Sequence, residues 1–216
     1  MQRTIKKTVN LVAMFALACS VGLGQTSSGP ITKVEEDWQV VIGTPSPDEV
    51  GPQLTTCMSP VGDGSTPVAT FDLNYCDYPT FQPGGLQVKV CSGADVLSSS
   101  SQGNALCQTA NETISWTQQM ITTSSGNVTY TVVNGQSTTW GQFGSSQGLN
   151  PVSFTTSLTS MAGYSPDKSV GNSGAGWESN RVTSMTLVRV RYYNGTQLIS
   201  TDNNPRSVPL FVPKSS

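Results

Sequence analysis

A chain of 216 residues can bury a substantial core, and its net charge of −2 lacks the basic excess that attracts nucleic acids and anionic membranes. It contains no histidine, which removes the commonest general base, the usual metal ligand and the usual pH switch. A serine triad and typical zinc sites are therefore excluded, and we predict no catalytic, cofactor-binding or metal-binding residues.

The N-terminal residues have the pattern of an export signal. Three basic residues precede an apolar run, Val9–Leu23, and the small residue Gly24 marks a cleavage point before Gln25. The run is shorter than the roughly 20 apolar residues that span a bilayer. We predict a signal peptide over 1–24, a single secreted or periplasmic domain over 25–216 with its ordered core at about 34–212, and no membrane span. In a second interpretation Cys19 is the lipidated first residue of a lipoprotein.

Short alternating runs separated by Gly, Pro, Asn and Ser recur along the rest of the chain, with no helical stripe of ten or more residues. This pattern predicts an all-β fold, an antiparallel two-sheet sandwich. The expected strands are Trp38–Ile42, Leu54–Met58, Thr70–Tyr75, Leu86–Cys91, Ile114–Met120, Val128–Val133, Ser137–Phe143, Val152–Leu158, Met185–Tyr193 and Gln197–Thr201.

Several segments between these strands contain residues that favour turns or loops. Asn134-Gly135 and Asn194-Gly195 predict two-residue hairpins, because Asn-Gly supplies the positive φ angles of a type I′ turn. Ser98–Ser101 is predicted to be a polar loop, Pro166-Asp167 a turn, and Gly171–Gly176 a flexible loop or a tight crossing between strands.

Four cysteines remain after removal of the predicted signal: Cys57, Cys76, Cys91 and Cys107. An even set in an exported protein indicates two disulfides, while the wide gaps disfavour zinc and there is no C-x-x-C. Three pairings exist. We favour Cys57–Cys76 with Cys91–Cys107, since each closes a loop rich in Gly, Ser and Pro and contributes about 3 kcal/mol in the chain-entropy model.

Two kinds of short motif carry little information. Ser165-Pro166-Asp167-Lys168 matches S-x-x-K, but the S-D-N and K-T-G partners of that chemistry are absent, so we assign it no function. The glycosylation pattern N-x-[ST] occurs three times, at Asn111, Asn127 and Asn194.

The C-terminal half has a rhythm of strands that resembles a known architecture. Residues Ser137–Gly144, Val152–Leu158 and Ser169–Val182 leading into Leu187–Tyr193 resemble concanavalin A-like lectin/glucanase jelly rolls, to which laminin-G-like domains belong. The resemblance implies two stacked sheets with sugar or protein partners at a concave face or its rim. Glucanases of this group carry an E-x-D-x-E strand, whereas the acidic cluster Glu35-Glu36-Asp37 lacks the third position.

Three functions from different classes fit these observations. The first is a secreted, non-enzymatic recognition module that binds glycans or an extracellular protein. The second is a structural or assembly component of the cell envelope or extracellular matrix. The third is a glycoside hydrolase, which needs two acids about 5–9.5 Å apart; the candidates are Asp72, Glu112, Glu178 and Asp202.

Ligand-binding residues are predicted mainly on one strand. Alternation within it places on one face Met185, Leu187, Arg189, Arg191 and Tyr193. Because two arginines are costly to bury without acids, we expect this face to be solvated there or paired with Asp72 or Glu178. Guanidinium forks and aromatic rings suit hydroxyl-rich or acidic sugars. Trp140 and Trp177 are further aromatic candidates, with a core role equally expected for each.

Overall fold

The structure, a computed structural model, describes residues 29–43, 53–61, 67–74, 85–102, 111–176 and 181–210. It contains a helix, α1 (Pro166–Asn172), a 3-10 turn at Ser145–Gln147, and the following strands: β1 (Lys33–Ile42), β2 (Leu54–Met58), β3 (Val68–Leu73), β4 (Leu86–Ser92), β5 (Asp95–Gln102), β6 (Thr113–Thr122), β7 (Asn127–Ser137), β8 (Gly141–Phe143), β9 (Val152–Thr155), β10 (Gly174–Ala175), β11 (Val182–Asn194), β12 (Gln197–Asp202) and β13 (Arg206–Ser207).

The strands form two antiparallel sheets. The large sheet has the order β12-β11-β1-β6-β7-β8, with β13 added on β11 and β9 on β7. The small sheet has the order β10-β2-β3-β4-β5. All pairings are antiparallel, which confirms the prediction of an all-β protein with two antiparallel sheets.

Aromatic side chains join the inner faces of the two sheets. Trp38 of β1 and Trp116 of β6 stack with ring centroids 6.3 Å apart, and Phe71 of β3 meets Trp116 edge-on at 5.3 Å. All three side chains are at most 2% exposed. Large apolar side chains removed from water in this way contribute about 1.5–3 kcal/mol each, so the interior between the sheets is the main source of stability.

The predicted strands all overlap observed ones, and the differences follow from tertiary pairing. Leu54–Met58 has the predicted bounds, whereas β1 begins at Lys33, five residues before the predicted start. The predicted start at Trp38 is therefore wrong, and the acidic cluster at 35–37 lies inside β1. It is accommodated because β1 is central and its carboxylates find donors on both neighbouring strands.

One of the two predicted hairpins is wrong. Asn134-Gly135 lies inside β7, where Ser115 pairs with Gln136 and Thr117 with Val133, so the two residues form a bulge without reversing the chain. The other hairpin is confirmed as a reversal between β11 and β12, but its predicted type I′ turn is wrong. Asn194 pairs with Gln197, so the two loop residues are Gly195 and Thr196, and the positive φ there belongs to Gly195 alone.

Three segments predicted as loops or turns have regular structure. Ser98–Ser101 lies in β5, an edge strand that alternation cannot reveal because most of its side chains are exposed. Pro166-Asp167 starts α1 instead of a turn: Ser165 is the N-cap, its hydroxyl accepts from the Lys168 N–H, and proline suits the first helical position. The segment 171–176 ends this helix and adds β10 to the edge of β2.

The described cysteines narrow the disulfide pairing. Cys57 on β2 and Cys91 on β4 flank β3 on opposite sides, which separates their Cα atoms by roughly 10 Å. A disulfide requires less than about 7 Å, so one of the three pairings is excluded. Both are free thiols in the structure, with the Cys57 thiol donating to the Asn172 carbonyl at 3.0 Å. Cys76 and Cys107 lie outside the described residues, and the two disulfides stay a prediction.

Candidate functional site

A bulge in β11 builds the outer face of the large sheet. Asp37 pairs with Arg189 and Trp38 with Leu187, so Val188 is the extra residue on β11. The bulge shifts the alternation by one residue: Met185 and Leu187 face the core, whereas Arg189 faces outward. The predicted placement of all these residues on one face was therefore wrong, since sequence alternation cannot show an inserted residue.

A groove of about 610 Å³ runs along this outer face. Its floor is formed by β1, β6 and β11, and the segment after β12 forms one side. The lining residues are Asp37, Trp38, Gln39, Ser115, Trp116, Thr117, Asn134, Val188, Arg189, Arg191, Asn203 and Pro205. The side chains of Trp38 and Trp116 are buried in the core. Of the other ten lining residues, five carry uncharged amide or hydroxyl groups, two are arginines, one is a carboxylate, and Val188 and Pro205 are apolar.

Ion pairs cross the strands at this face in a continuous ladder. Lys33 contacts Glu35 at 2.9 Å, and Glu35 contacts Arg191 at 2.9 Å. Arg191 also contacts Asp37 at 2.9 Å, and Asp37 in turn contacts Arg189 at 2.6 Å. The arginine pair is thus matched with acids, as expected, but the partners are Glu35 and Asp37. Of the acids proposed as partners, Asp72 lies on the small sheet with Lys89 at 3.0 Å, and Glu178 lies outside the described residues.

Asp37 holds Arg189 in a defined orientation. Its Oδ1 accepts from Thr117 Oγ1 at 2.7 Å and from Arg191 Nη2 at 2.9 Å. Its Oδ2 lies 2.7 Å from Arg189 Nε and 2.6 Å from Arg189 Nη2. The carboxylate is saturated by these four contacts, while 44% of the Arg189 side chain remains exposed. One edge of that guanidinium is consequently fixed against Asp37, and Arg189 lines the groove with part of its side chain exposed.

Glu35 is held at the far end of the ladder. Burial opposes its ionisation, but hydrogen bonds from Lys33 and Tyr193, together with the positive charges of Lys33 and Arg191, lower its pKa below the ordinary value. Gln119 also donates to it at 2.7 Å. Tyr193 donates its hydroxyl to Glu35 at 2.8 Å, and the Lys33 ammonium lies 3.8 Å from the centre of its ring. In this arrangement Tyr193 orients Glu35.

The middle residue of the acidic cluster points into the core. Glu36 is 0% exposed and accepts hydrogen bonds from Trp38, Gln118, Tyr164 and Ser169. Desolvation raises its pKa in spite of these bonds. Through Ser169 it connects the large sheet to α1, and the same hydroxyl oxygen lies 2.5 Å from the Cys57 carbonyl oxygen of β2 in the small sheet. Glu36 is thus a buried hydrogen-bond acceptor with a structural role, and it lies on the opposite side of β1 from the groove.

The predicted aromatic ligand residues do not join the arginines. Trp140 is half-buried in the turn after β7, with its ring edge-on to Phe143 at 6.3 Å, and it is not among the groove-lining residues. Trp177 lies outside the described residues. Of the five predicted ligand residues, the groove therefore contains Arg189 and Arg191, with Tyr193 beside it.

The described candidate catalytic acids lie in different parts of the fold, and each bonds to its own partner. Asp72 accepts from Thr55 at 2.5 Å on the small sheet, and Glu112 accepts from Thr139 at the turn after β7. Asp202 is paired with Arg206 at 2.7 Å. Within the described part of the chain no three acidic or sulfur side chains converge on a potential metal position.

Sequence reasoning missed most of the groove. The predicted strand starts at Trp38 and does not include Asp37, the residue that orients both arginines. The signal was present as an E-x-D spacing, which places Glu35 and Asp37 on one face of a strand. No sequence pattern marks Asn134 or Asn203 as a groove residue, since Asn134-Gly135 indicates only a turn, and the bulge and the loop that position these two residues arise from tertiary pairing.

No protein-family model, no curated protein and no solved structure matches this chain. The resemblance to concanavalin A-like jelly rolls accordingly stays a prediction. Among the described residues, no helix is long and apolar enough to cross a membrane.

Proposed function

We propose that this protein is a secreted, non-enzymatic recognition module that binds glycans in the groove on the outer face of its large sheet. The observation that carries the proposal is the lining of the groove, where amides and hydroxyls surround a fixed guanidinium. Saccharide hydroxyls both donate and accept, and so do amide and hydroxyl side chains. A shallow polar surface of this kind suits an extended polymer.

The groove is also preorganised. Arg189, Arg191 and Thr117 are held by contacts of 2.6–2.9 Å to one carboxylate, so binding need not order these side chains. Preorganised polar groups gain affinity because less side-chain freedom is lost on association. Export, the two disulfides and the jelly-roll connection belong to the same proposal, and they rest on the N-terminal pattern, the even cysteine set and the rhythm of strands.

The test compares two pairs of polar residues. In the double variant Gln39→Ala, Asn203→Ala, two exposed amides are removed from the groove; in the control Gln147→Ala, Asn150→Ala, two exposed amides are removed elsewhere. Binding to a panel of soluble polysaccharides is measured by calorimetry. We expect the groove variant to weaken binding about tenfold and the control to leave it unchanged. If no polysaccharide binds the wild type, the proposal is wrong.

A second candidate function, an assembly component, is favoured by strand β5. This edge strand carries Val96 and Leu97 with 57% and 54% of their surfaces exposed, while Ser100 near its other end accepts from the Asn150 N–H. Exposed apolar side chains on an edge strand are a common site of strand-to-strand association. Sedimentation of the wild type against the double variant Val96→Ser, Leu97→Ser tests this. A monomeric wild type at high concentration would contradict assembly through β5.

A further inference from the structure

The outer face of the large sheet is more positive than the chain as a whole. The charged residues of the ladder are three cations, Lys33, Arg189 and Arg191, against two carboxylates, Glu35 and Asp37. The whole chain has a net charge of −2. The groove therefore concentrates positive charge on a protein that is otherwise acidic, which favours an anionic ligand there.

The nearby acid–arginine cluster does not cancel this charge, because it lies on the other face of the sheet. Arg206 pairs with Leu187 and Asp202 pairs with Val190, and both of these apolar residues face the core. Arg206 bonds Asp167 of α1 at 2.6 Å on that side. Residues directly opposite in antiparallel strands share a face, so neither carboxylate is directed into the groove.

Among the described residues, the guanidinium of Arg189 has no partner for the donors of its outer edge. Arginine has five N–H groups, and Arg189 directs only Nε and one N–H of Nη2 at Asp37. The Nη1–Nη2 edge keeps three N–H groups, in the geometry that receives a second carboxylate with two parallel hydrogen bonds. Because Asp37 already holds the first edge, the second is presented in a fixed direction.

The groups around this edge suit a sugar ring. Val188, 40% exposed through the bulge, and Pro205 give apolar surface beside the guanidinium. Asn134 and Asn203 add amides that can bond hydroxyls. An acidic peptide would meet the same charge but would leave these amides without the closely spaced hydroxyls of a saccharide.

Resting on the proposed function, we infer that the ligand of the groove is an acidic saccharide, a polymer of uronic acid type, whose carboxylate binds the outer edge of Arg189. A uronate carboxylate is attached directly to the pyranose ring. It can therefore bond the arginine while the ring covers Val188 and the ring hydroxyls reach the amides.

The experiment uses the mature protein with polygalacturonate, its methyl ester and dextran as calorimetric probes. The methyl ester keeps the sugar but removes the charge, so this comparison involves no change to the protein. We expect polygalacturonate to bind at least tenfold more tightly than either neutral polymer, and the difference to shrink as salt increases.

Two variants of Arg189 and one control test whether this residue binds the carboxylate. Arg189→Gln should weaken the binding of polygalacturonate about ten- to a hundredfold, because it removes a charge-assisted bidentate pair. Arg189→Lys should restore only part of the affinity for polygalacturonate, because an ammonium group lacks the paired N–H donors of a guanidinium. Lys168→Gln is the matched control: it removes one exposed positive charge on α1 and should change nothing. Equal thermal midpoints for all variants exclude unfolding as the cause.

The outcomes separate the two proposals. Equal binding of polygalacturonate and dextran, or an unchanged affinity in Arg189→Gln, overturns this inference and leaves the glycan module standing. Tighter binding of poly-glutamate than of polygalacturonate overturns the saccharide in favour of an acidic peptide. Failure of every polysaccharide, charged or neutral, overturns the proposed function itself.

Discussion

Substitution of the buried Glu36 should change the way in which stability depends on pH. In the fold this carboxyl accepts from Trp38, Gln118, Tyr164 and Ser169, and no cation contacts it among the described residues. Desolvation raises its pKa above the ordinary value of 4.5. The folded protein therefore retains a proton that the unfolded chain releases.

The sign of the effect follows from this proton. For a carboxyl with a raised folded-state pKa, stability is largest in acid and falls as pH rises above about 4.5, until the folded-state pKa is reached. Inside that window the slope approaches about 1.4 kcal/mol per pH unit. The groups Glu35 and Asp202, whose pKa values are lowered, act in the opposite direction, so a comparison of variants is needed.

Glu36→Gln is the informative variant. The amide cannot titrate, yet its oxygen can accept from Trp38 and Gln118 while its NH₂ group donates to the Tyr164 hydroxyl. Glu36→Ala, by contrast, leaves these three buried donors without an acceptor, at about 1–3 kcal/mol each. Such a loss approaches the whole stability of a domain, roughly 5–15 kcal/mol, and would obscure the pH dependence.

The assay is denaturant unfolding of wild type and Glu36→Gln between pH 4.5 and 7.5, followed by tryptophan fluorescence. The stacked pair Trp38 and Trp116 lies in the core, so its fluorescence changes when the core unfolds. The free energy of unfolding of the wild type, minus that of the variant, should fall as pH rises from 4.5 and level off once the folded-state pKa of Glu36 is passed. A difference that is flat or that increases with pH would show that the folded protein carries Glu36 ionised, and would refute this reasoning.

Other predictions concern packing and thiols. Gly135→Ala should destabilise the protein by about 1–3 kcal/mol, because a Cβ there would lie 2.2 Å from the Phe143 ring, whereas Gly163→Ala, with open space around it, should change thermal unfolding little. In reduced, folded protein, Cys57 should resist alkylation, since burial, reinforced by neighbouring carboxylates, raises the pKa of its thiol to about 12; labelling of Cys57 as fast as of the half-buried Cys91 would contradict this. In natively exported protein, alkylation without reductant should label none of the four mature cysteines, and an intact mass showing four labels would rule out both disulfides.

The sequence by itself determined the all-β class, the approximate positions of most strands and the chain reversal between β11 and β12. Alternation in a segment such as Ile114–Met120 is a local property: Ile114, Trp116 and Met120 alternate with polar Ser115 and Thr117, and the structure buries the first three in the core. The reversal at Gly195 is equally local, because it depends on the conformation of one glycine.

Only the tertiary structure decided which residues form the groove. Asp37 and Arg189 are 152 residues apart along the chain, and they meet because β1 and β11 pair in one register, shifted by a single inserted residue. The same register turned Glu36 inward and its two acidic neighbours outward. Pairing and bulges between distant strands depend on how two whole sheets pack, and this leaves no trace in the periodicity of either strand alone.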